Sequence, residues 1–299
     1  MKKHAYLIEA HNNRSQLEKL LKCLDYEEND IYVHIDAKSL GFESLKNKNP
    51  LKYSKLSIID SVTVHWGGFS QIIVELNLLE AALNQGEYCR FHLISGADLP
   101  LRTQKEIHAF FNSQAEIEFV HFDYDNSPDF YKKRLAQYHY LRDRIDRSDK
   151  LWEFIENVSI AVQKLVGVDR SRSIDVELIK GSNWFSITEK CAKYVLDHKD
   201  WILQNFRNTK CCDEVFLQTL VYNSVFKNRL YFDEYEKRHS NLRFTDWKRG
   251  KPYVFRNDDF NNLISSHYMF ARKFDEKVDK DIIVKICAYL TNNEEEIIA

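Results

Sequence analysis

The first 36 residues constrain the fold more than any other stretch. An apolar run over 5–10 ends at His11-Asn12-Asn13, which reads as a strand and its turn. Leu17, Leu20, Leu21 and Leu24 then recur at helical spacing, and Ile31, Val33 and Ile35 alternate as a second strand closing on Asp36. Parallel strands need a long crossover, usually a helix, so this order predicts the opening of a parallel sheet covered by helices.

The pattern continues. A short strand over 58–64 is broken by Trp66-Gly67-Gly68, and Phe69, Ile72, Ile73, Leu76, Leu79 and Leu83 mark an amphipathic helix. A buried strand over 90–95 stops at Gly96-Ala97-Asp98-Leu99-Pro100, and Thr103 caps a helix around 105–111. A strand over 117–122 runs into Asp123-Tyr124-Asp125. Open sheets of this kind bind ligands beyond the carboxyl ends of their strands, which is where His11, Asp36, Trp66, Asp98 and Asp123 fall.

The stretch 131–180 differs. Lys132, Lys133, Arg134, Arg142, Arg144, Arg147, Arg170 and Arg172 make it basic, and Trp152, Ile155, Val158, Val162 and Leu165 lie on one helical face. It reads as a helical insertion over the active face, either a plain surface helix or, through 148–166, a peripheral membrane contact. After it come a strand over 184–187, helices over 189–206 and 281–290, and a turn into a helix at Asp213-Glu214. With no Pro/Gly/Ser-rich linker, the expectation is one α/β domain over 1–299. Its parts are a nucleotide-binding half (1–130), the insertion (131–180) and a catalytic and acceptor half (181–299).

Composition excludes some classes. A net charge of −2 gives no global field for nucleic acid. No window reaches the ~18–20 apolar residues that span a bilayer. The N-terminal apolar run is too short for a signal h-region, and six scattered cysteines show no C-x-x-C pairing. These features predict a cytoplasmic protein with reduced thiols, or one peripheral on the inner membrane face.

The familiar cofactor and hydrolase motifs are absent: no G-x-G-x-x-G, no Walker A, no G-x-S-x-G and no H-E-x-x-H. Asp123-Tyr-Asp125 is a D-x-D, a pattern that can hold Mg²⁺ or Mn²⁺ on a diphosphate, although a polar turn after a strand explains it as well. Two fixed cations, Arg249 and Lys273, offer a metal-free way to neutralise a diphosphate. In Asp213-Glu214, Asp213 suits the N-cap and Glu214 the first turn, where the helix dipole favours an ionised carboxylate. From these two residues alone, ordinary helix-start acids are the simpler reading.

Seven collinear stretches change that weighting. They are Tyr-Val-His-Ile-Asp-Ala-Lys-Ser (32–39), Val-His-Trp-Gly-Gly-Phe-Ser (64–70) with Glu75-Leu-Asn-Leu-Leu, and Phe-His-Leu-Ile-Ser-Gly-Ala-Asp-Leu-Pro-Leu (91–101). Lys-Gly-Ser-Asn-Trp-Phe-Ser (180–186), Cys-Asp-Glu-Val-Phe-Leu-Gln-Thr-Leu (212–220), Asp-Trp-Lys-Arg-Gly-Lys-Pro-Tyr (246–253) and Phe-Ala-Arg-Lys-Phe-Asp (270–275) follow in order. In these the chain resembles the Core-2/I-branching family, β-1,6-N-acetylglucosaminyltransferases and peptide O-xylosyltransferases.

The resemblance implies a GT-A-like fold and an inverting, metal-independent transfer from a UDP-sugar, with no cofactor. It makes Glu214 the catalytic base, sets Lys273 and Arg249 on the diphosphate, and associates Asp36 with the nucleotide base. His11, Trp66 and Asp98 join the donor site. Ser95-Gly-Ala-Asp98 falls where other GT-A enzymes carry D-x-D and lacks the first acid. Lys133, Arg134, Trp184 and Trp247 fall on the acceptor side. The implied partners are a UDP-sugar, carrying GlcNAc first or else xylose, with glucuronic acid also found among relatives, and a glycan or lipid-linked glycan acceptor. Three rivals stay open: a metal-dependent transferase using Asp123 and Asp125, a hydrolase pairing Glu214 with Asp98, and a non-catalytic sugar-nucleotide or glycan binder.

Overall fold

A computed structural model describes residues 2–43, 45, 49–123, 131–132, 135–144 and 149–298, with side chains as far as 291. Lys133, Arg134 and Asp125 lie outside the described residues, so nothing is assigned to them here.

The main sheet has six strands in the order β3-β2-β1-β4-β7-β6. They are β1 (Lys3–Ala10), β2 (Asn29–Ile35), β3 (Lys55–Ile58), β4 (Tyr88–Ser95), β6 (Phe119–Val120) and β7 (Phe185–Thr188), with β5 (Asp98–Pro100) standing outside this sheet. β1 to β4 run parallel, and β7 is antiparallel to both β4 and β6. This is the mixed, mostly parallel α/β sheet flanked by helices that the sequence predicts.

Side-chain alternation splits the core in two. Ala5 and Leu7 of β1, Tyr32 of β2 and Phe91 and Leu93 of β4 face one layer, with the helices Ser70–Gln85, Glu189–Asp197 and Phe216–Tyr222. Tyr6, Ile8, Ile31, Val33 and Ile94 face the other, with Arg14–Cys23, Gln104–Ser113 and Lys280–Ile298. Strands buried on both faces read as near-continuous apolar runs, which is why β1 and β2 stand out in sequence.

Thr103 caps its helix as expected, in a reciprocal capping box with Glu106. Several expectations shift. The strand placed at 58–64 is instead β3, Lys55–Ile58, and the following segment lies against β2 by single bonds, Ile59 N–H donating to Val33 O. The helix over 189–206 breaks at His198 into Glu189–Asp197 and Lys199–Phe206. The strand over 117–122 shrinks to Phe119–Val120, flanked by isolated bridges from Glu118 to Leu230 and from Asp123 to Lys180.

After a two-stranded pair, β8 (Phe232–Asp233) and β9 (Arg238–His239), a second sheet, invisible to periodicity because its strands have three residues each, joins β10 (Arg243–Thr245), β11 (Phe270–Arg272) and β5. β5 and β11 pair antiparallel with Asp98 opposite Arg272, so this small sheet binds the chain's last third to the end of β4.

Within 131–180, the helix Lys150–Leu165 packs by its polar side. Glu156 is buried against Arg142 and His139, and Gln163 exchanges hydrogen bonds with the Tyr138 backbone. Its apolar stripe points outward: Leu151 is 69% exposed, Phe154 64% and Leu165 87%, with Ile155, Val158 and Val162 beside them.

Candidate active site

The site assembles where β1, β2 and β4 end. Asp36 is buried at the end of β2, accepting from the Lys38 N–H (3.0 Å) and the Val64 N–H (3.4 Å). His11, beyond β1, is electrostatically coupled to Lys273, Asp36 and Lys38, and partial burial followed by the Lys273 cation lowers its pKa. These three expected donor residues, His11, Asp36 and Lys273, therefore occupy one corner.

Arg249 is linked to the Lys273 backbone by way of Tyr253. Its guanidinium lies 4.0 Å over the Tyr253 ring, and the Lys273 N–H donates to Tyr253 O (3.4 Å). Arg249 also forms ion pairs with Asp246 (2.5 Å) and Asp259 (2.7 Å), which push its pKa up. The same Asp246 accepts from the Lys248 and Arg249 N–H groups, so Trp247 is presented outward at the tip of a pinned turn.

Glu214 sits in a 3-10 turn, Cys212–Glu214, and the α-helix begins only at Phe216. Its half-exposed carboxylate meets Lys180 Nζ at 3.4 Å, and Lys180 lies 4.0 Å from Asp123 Oδ2. The turn is fixed from below by Gly181, whose N–H donates to Glu214 O (2.8 Å). A Cβ at Gly181 would fall 1.8 Å from His121 O, so only glycine lets these strands approach.

Asp213 does not cap a helix, contrary to expectation. The helix starts at Phe216 with Val215 as an N-cap that supplies no side-chain bond, and Asp213 turns into the core, where Gln71 Nε2 donates to it (3.2 Å). Gln71 Oε1 also accepts from the Gly67 N–H (2.5 Å), and the Cys211 N–H donates to Gly67 O (2.8 Å). The Trp66-Gly67-Gly68 loop is thus tied to the base-bearing turn, with Trp66 half exposed on its rim.

Asp98 and Trp184 face inward. Asp98 is fully buried, accepts from Ser95 Oγ (2.5 Å) and lies 3.3 Å from Arg272 Nε. Trp184 is buried under that guanidinium, 4.2 Å away. Both belong to the floor of the site, and Trp247 is the expected acceptor-side residue that the described structure leaves open to solvent.

Beneath this floor lies a group that sequence reasoning missed. Glu9 on β1 and Glu75 on the helix Ser70–Gln85 are buried among Asp213, Asp98 and Arg272. Burial first, then the Asp213 charge, raise the Glu9 pKa to about 8 against the pull of Arg272. Burial and the Glu9 and Asp213 charges raise Glu75 well above the carboxylate range. Glu75 lies within an amphipathic helix and Glu9 inside an apolar strand, where nothing local marks their neighbours.

Two structural residues within 131–180 were also missed. Asp143 accepts from the Phe69 N–H (3.1 Å) and Ser70 N–H (2.9 Å), holding the start of the helix after the Gly-Gly turn. Arg170 donates to the carbonyls of Asn205, Arg207 and Asn208, fixing the loop that leads to the base. Away from this region, Asp233, Glu236 and His267 cluster within 4.8 Å, but hydrogen bonds from His267, Tyr268 and Arg238 already account for the arrangement.

A model of the Core-2/I-Branching enzyme family matches residues 4–268. The chain belongs to that family. The matched range holds the mixed, mostly parallel sheet described above and stops just before the segment carrying Lys273. Xylosyltransferase 2 of Rattus norvegicus is 25% identical over 308 residues, covering 93% of this chain and 32% of the relative. Xylosyltransferase 1 of Rattus norvegicus is 23% identical, covering 97% of this chain and 35% of the relative. The chain thus spans about a third of the length of these relatives. Among solved structures, apo mouse xyloside xylosyltransferase 1 aligns over 89% of this chain and 96% of its own, with 9% identity and a TM-score of 0.38. S. aureus TarS aligns over 40% of this chain and 21% of its own, at 18% identity and a TM-score of 0.29. Within the described residues, no helix is long and apolar enough to cross a membrane.

Proposed function

We propose that this family member transfers a sugar from a UDP-sugar to a hydroxyl of a glycan acceptor, inverting the anomeric centre, with Glu214 as general base. The observation that carries this is the placement of Glu214. Its carboxylate is 36% exposed beside Lys180, on a turn whose carbonyl the Gly181 N–H holds, and the adjoining Asp213 is tied through Gln71 to the Trp66-Gly67-Gly68 loop.

Glu214 takes the proton from the acceptor hydroxyl as that oxygen attacks the anomeric carbon opposite the leaving UDP. Negative charge develops on the departing diphosphate, and the fixed cations Lys273 and Arg249 meet it without reorganisation. Metal independence fits the end of β4, where Ser95 stands in place of an acid and Asp98 is engaged by Ser95 and Arg272. The rival metal site at Asp123 has Lys180 for a neighbour at 4.0 Å, a cation where a second cation would have to sit.

The xylosyltransferase relatives make xylose the first donor to try, with GlcNAc the second. The acceptor is a glycan, free or lipid-linked, approaching over Trp247. The outward stripe of the helix Lys150–Leu165, edged by Lys150 and Lys164, fits the surface of an anionic bilayer. A thermal-shift screen of UDP-sugars, each with and without EDTA, tests donor and metal together. A bound donor at 100 times its Kd stabilises by about 2.7 kcal/mol. A shift seen only without EDTA would overturn the metal-free reading.

A further inference from the structure

The cysteines of the helices Arg14–Cys23 and Lys280–Ile298 meet: Cys23 Sγ and Cys287 Sγ are 2.8 Å apart, although 264 residues separate them in sequence. Apolar packing sets this up, since Leu17, Leu20, Leu21 and Leu24 pack in one cluster with Ile282, Ile283, Ile286 and Leu290. Both thiols are partly exposed.

The geometry points to Cys23 and Cys287 as a dithiol modification site that forms a disulfide by exchange with an external disulfide, stapling the first helix to the last. Cys287 is the attacking group. The hydrogen bond from Cys23, and then the Lys19 ammonium, favour its thiolate and lower its pKa, whereas burial raises Cys89, Cys191 and Cys212. The Cys287 thiolate attacks a disulfide R–S–S–R, forming Cys287–S–S–R and releasing one R–S⁻. Cys23, once deprotonated, attacks the Cys287 sulfur and releases the second R–S⁻. The two protein protons end on the two released thiolates, so one external disulfide is reduced for one protein disulfide formed.

The staple falls on the brace of the donor corner. The helix Arg14–Cys23 grips the segment after Lys273: Gln16 Nε2 donates to Phe274 O (3.0 Å), Asn13 Nδ2 to Asp275 Oδ1 (2.8 Å), and Lys19 pairs with Glu276 (3.3 Å). Oxidation therefore locks the last helix onto the element that seats Lys273. This inference stands on the thiol geometry and does not depend on the transferase reading.

The test is oxidation of the full chain with oxidised glutathione, read by intact mass, alkylation and peptide mapping. The expected product is about 2 Da lighter than the reduced chain. It has two fewer alkylatable thiols, a cross-linked peptide pair containing residues 23 and 287, and a melting temperature raised by roughly 10 °C. Cys23→Ser should stop at a glutathione adduct on Cys287. Retention of all six alkylatable thiols overturns the inference, as does an adduct that never resolves in the unmodified sequence. So does a cross-link that forms equally in Cys23→Ser and Cys287→Ser.

Discussion

Lys180 Nζ stands 3.4 Å from Glu214 Oε2, and both side chains are partly solvated, 22% and 36% exposed. Exposed ion pairs are worth ~0–1 kcal/mol. Lys180 therefore aims the carboxylate through a contact weak enough to give way to an acceptor hydroxyl. Glu214→Gln should cost ~10²–10⁴-fold in kcat with UDP affinity preserved. Lys180→Met, which loses only an aiming contact, should cost about tenfold or less. Steady-state kinetics beside UDP titration checks both. Near-unchanged turnover in Glu214→Gln sinks the assignment of the base.

Lys273 is a point charge on the donor side. Lys273→Ala should weaken UDP binding by ~10-fold to 100-fold, the scale of losing one charge-assisted contact of about 1.5–3 kcal/mol. Isothermal titration with UDP reads this directly, and unchanged affinity would remove Lys273 from the diphosphate.

At Gly181 a methyl group would collide with His121 O, which is backbone and cannot swing aside. Gly181→Ala should cost ~1–3 kcal/mol in urea unfolding. Because Gly181 N–H holds Glu214 O, turnover should fall as well. Full stability together with full activity would show that the strand approach is looser than described.

Stability against pH follows from the buried acids and imidazoles. Glu9 and Glu75 have raised pKa values, so the unfolded chain releases these protons while the native state keeps them. Their contribution is complete below the ordinary carboxylate range and is lost as pH rises, for Glu9 through about 8. His34, His108 and His121 behave oppositely: burial lowers each to about 4, so stability falls as pH drops from ~6.5 towards that value. Between pH ~6.5 and 8 the acids act without these three histidines, and the melting temperature should decline across that window. Glu9→Gln should flatten the decline, since an amide cannot ionise. A slope unchanged in Glu9→Gln would place the titration elsewhere.

The stripe on the helix Lys150–Leu165 predicts salt-sensitive binding to vesicles containing phosphatidylglycerol, measured by co-sedimentation. Phe154→Asp and Leu165→Asp should each weaken it by tenfold or more, since burial of one large apolar side chain is worth ~1.5–3 kcal/mol. If the protein stays in the supernatant with these vesicles at low salt, the stripe has some other cover.

The large parallel strands and their helices were legible because doubly buried strands and amphipathic helices carry strong periodicity. β10, β11 and β5 were not: a three-residue strand has too few positions to show a period. The site divided in the same way. His11, Asp36 and Lys273 come together because strand ends and collinear motifs located them. The roles of Glu9, Gln71, Asp143 and Lys180 arise from partners far away in sequence, which periodicity cannot see. Asp213 was misread because a carboxylate before an apolar run looks the same whether it caps a helix or turns into a core.

Arg272 and Lys273 are consecutive, as are Asp213 and Glu214, and in each couple the first side chain enters the shared acidic floor while the second faces the rim. Length in the strand that precedes Lys273 thus acts like a reading frame. Substitutions alter one side chain at a time, but losing or gaining a single residue in 270–272 exchanges inside for outside and turns Lys273 towards the core. The pinned turn around Trp247 has no such parity, so changes of length that retune the acceptor belong there.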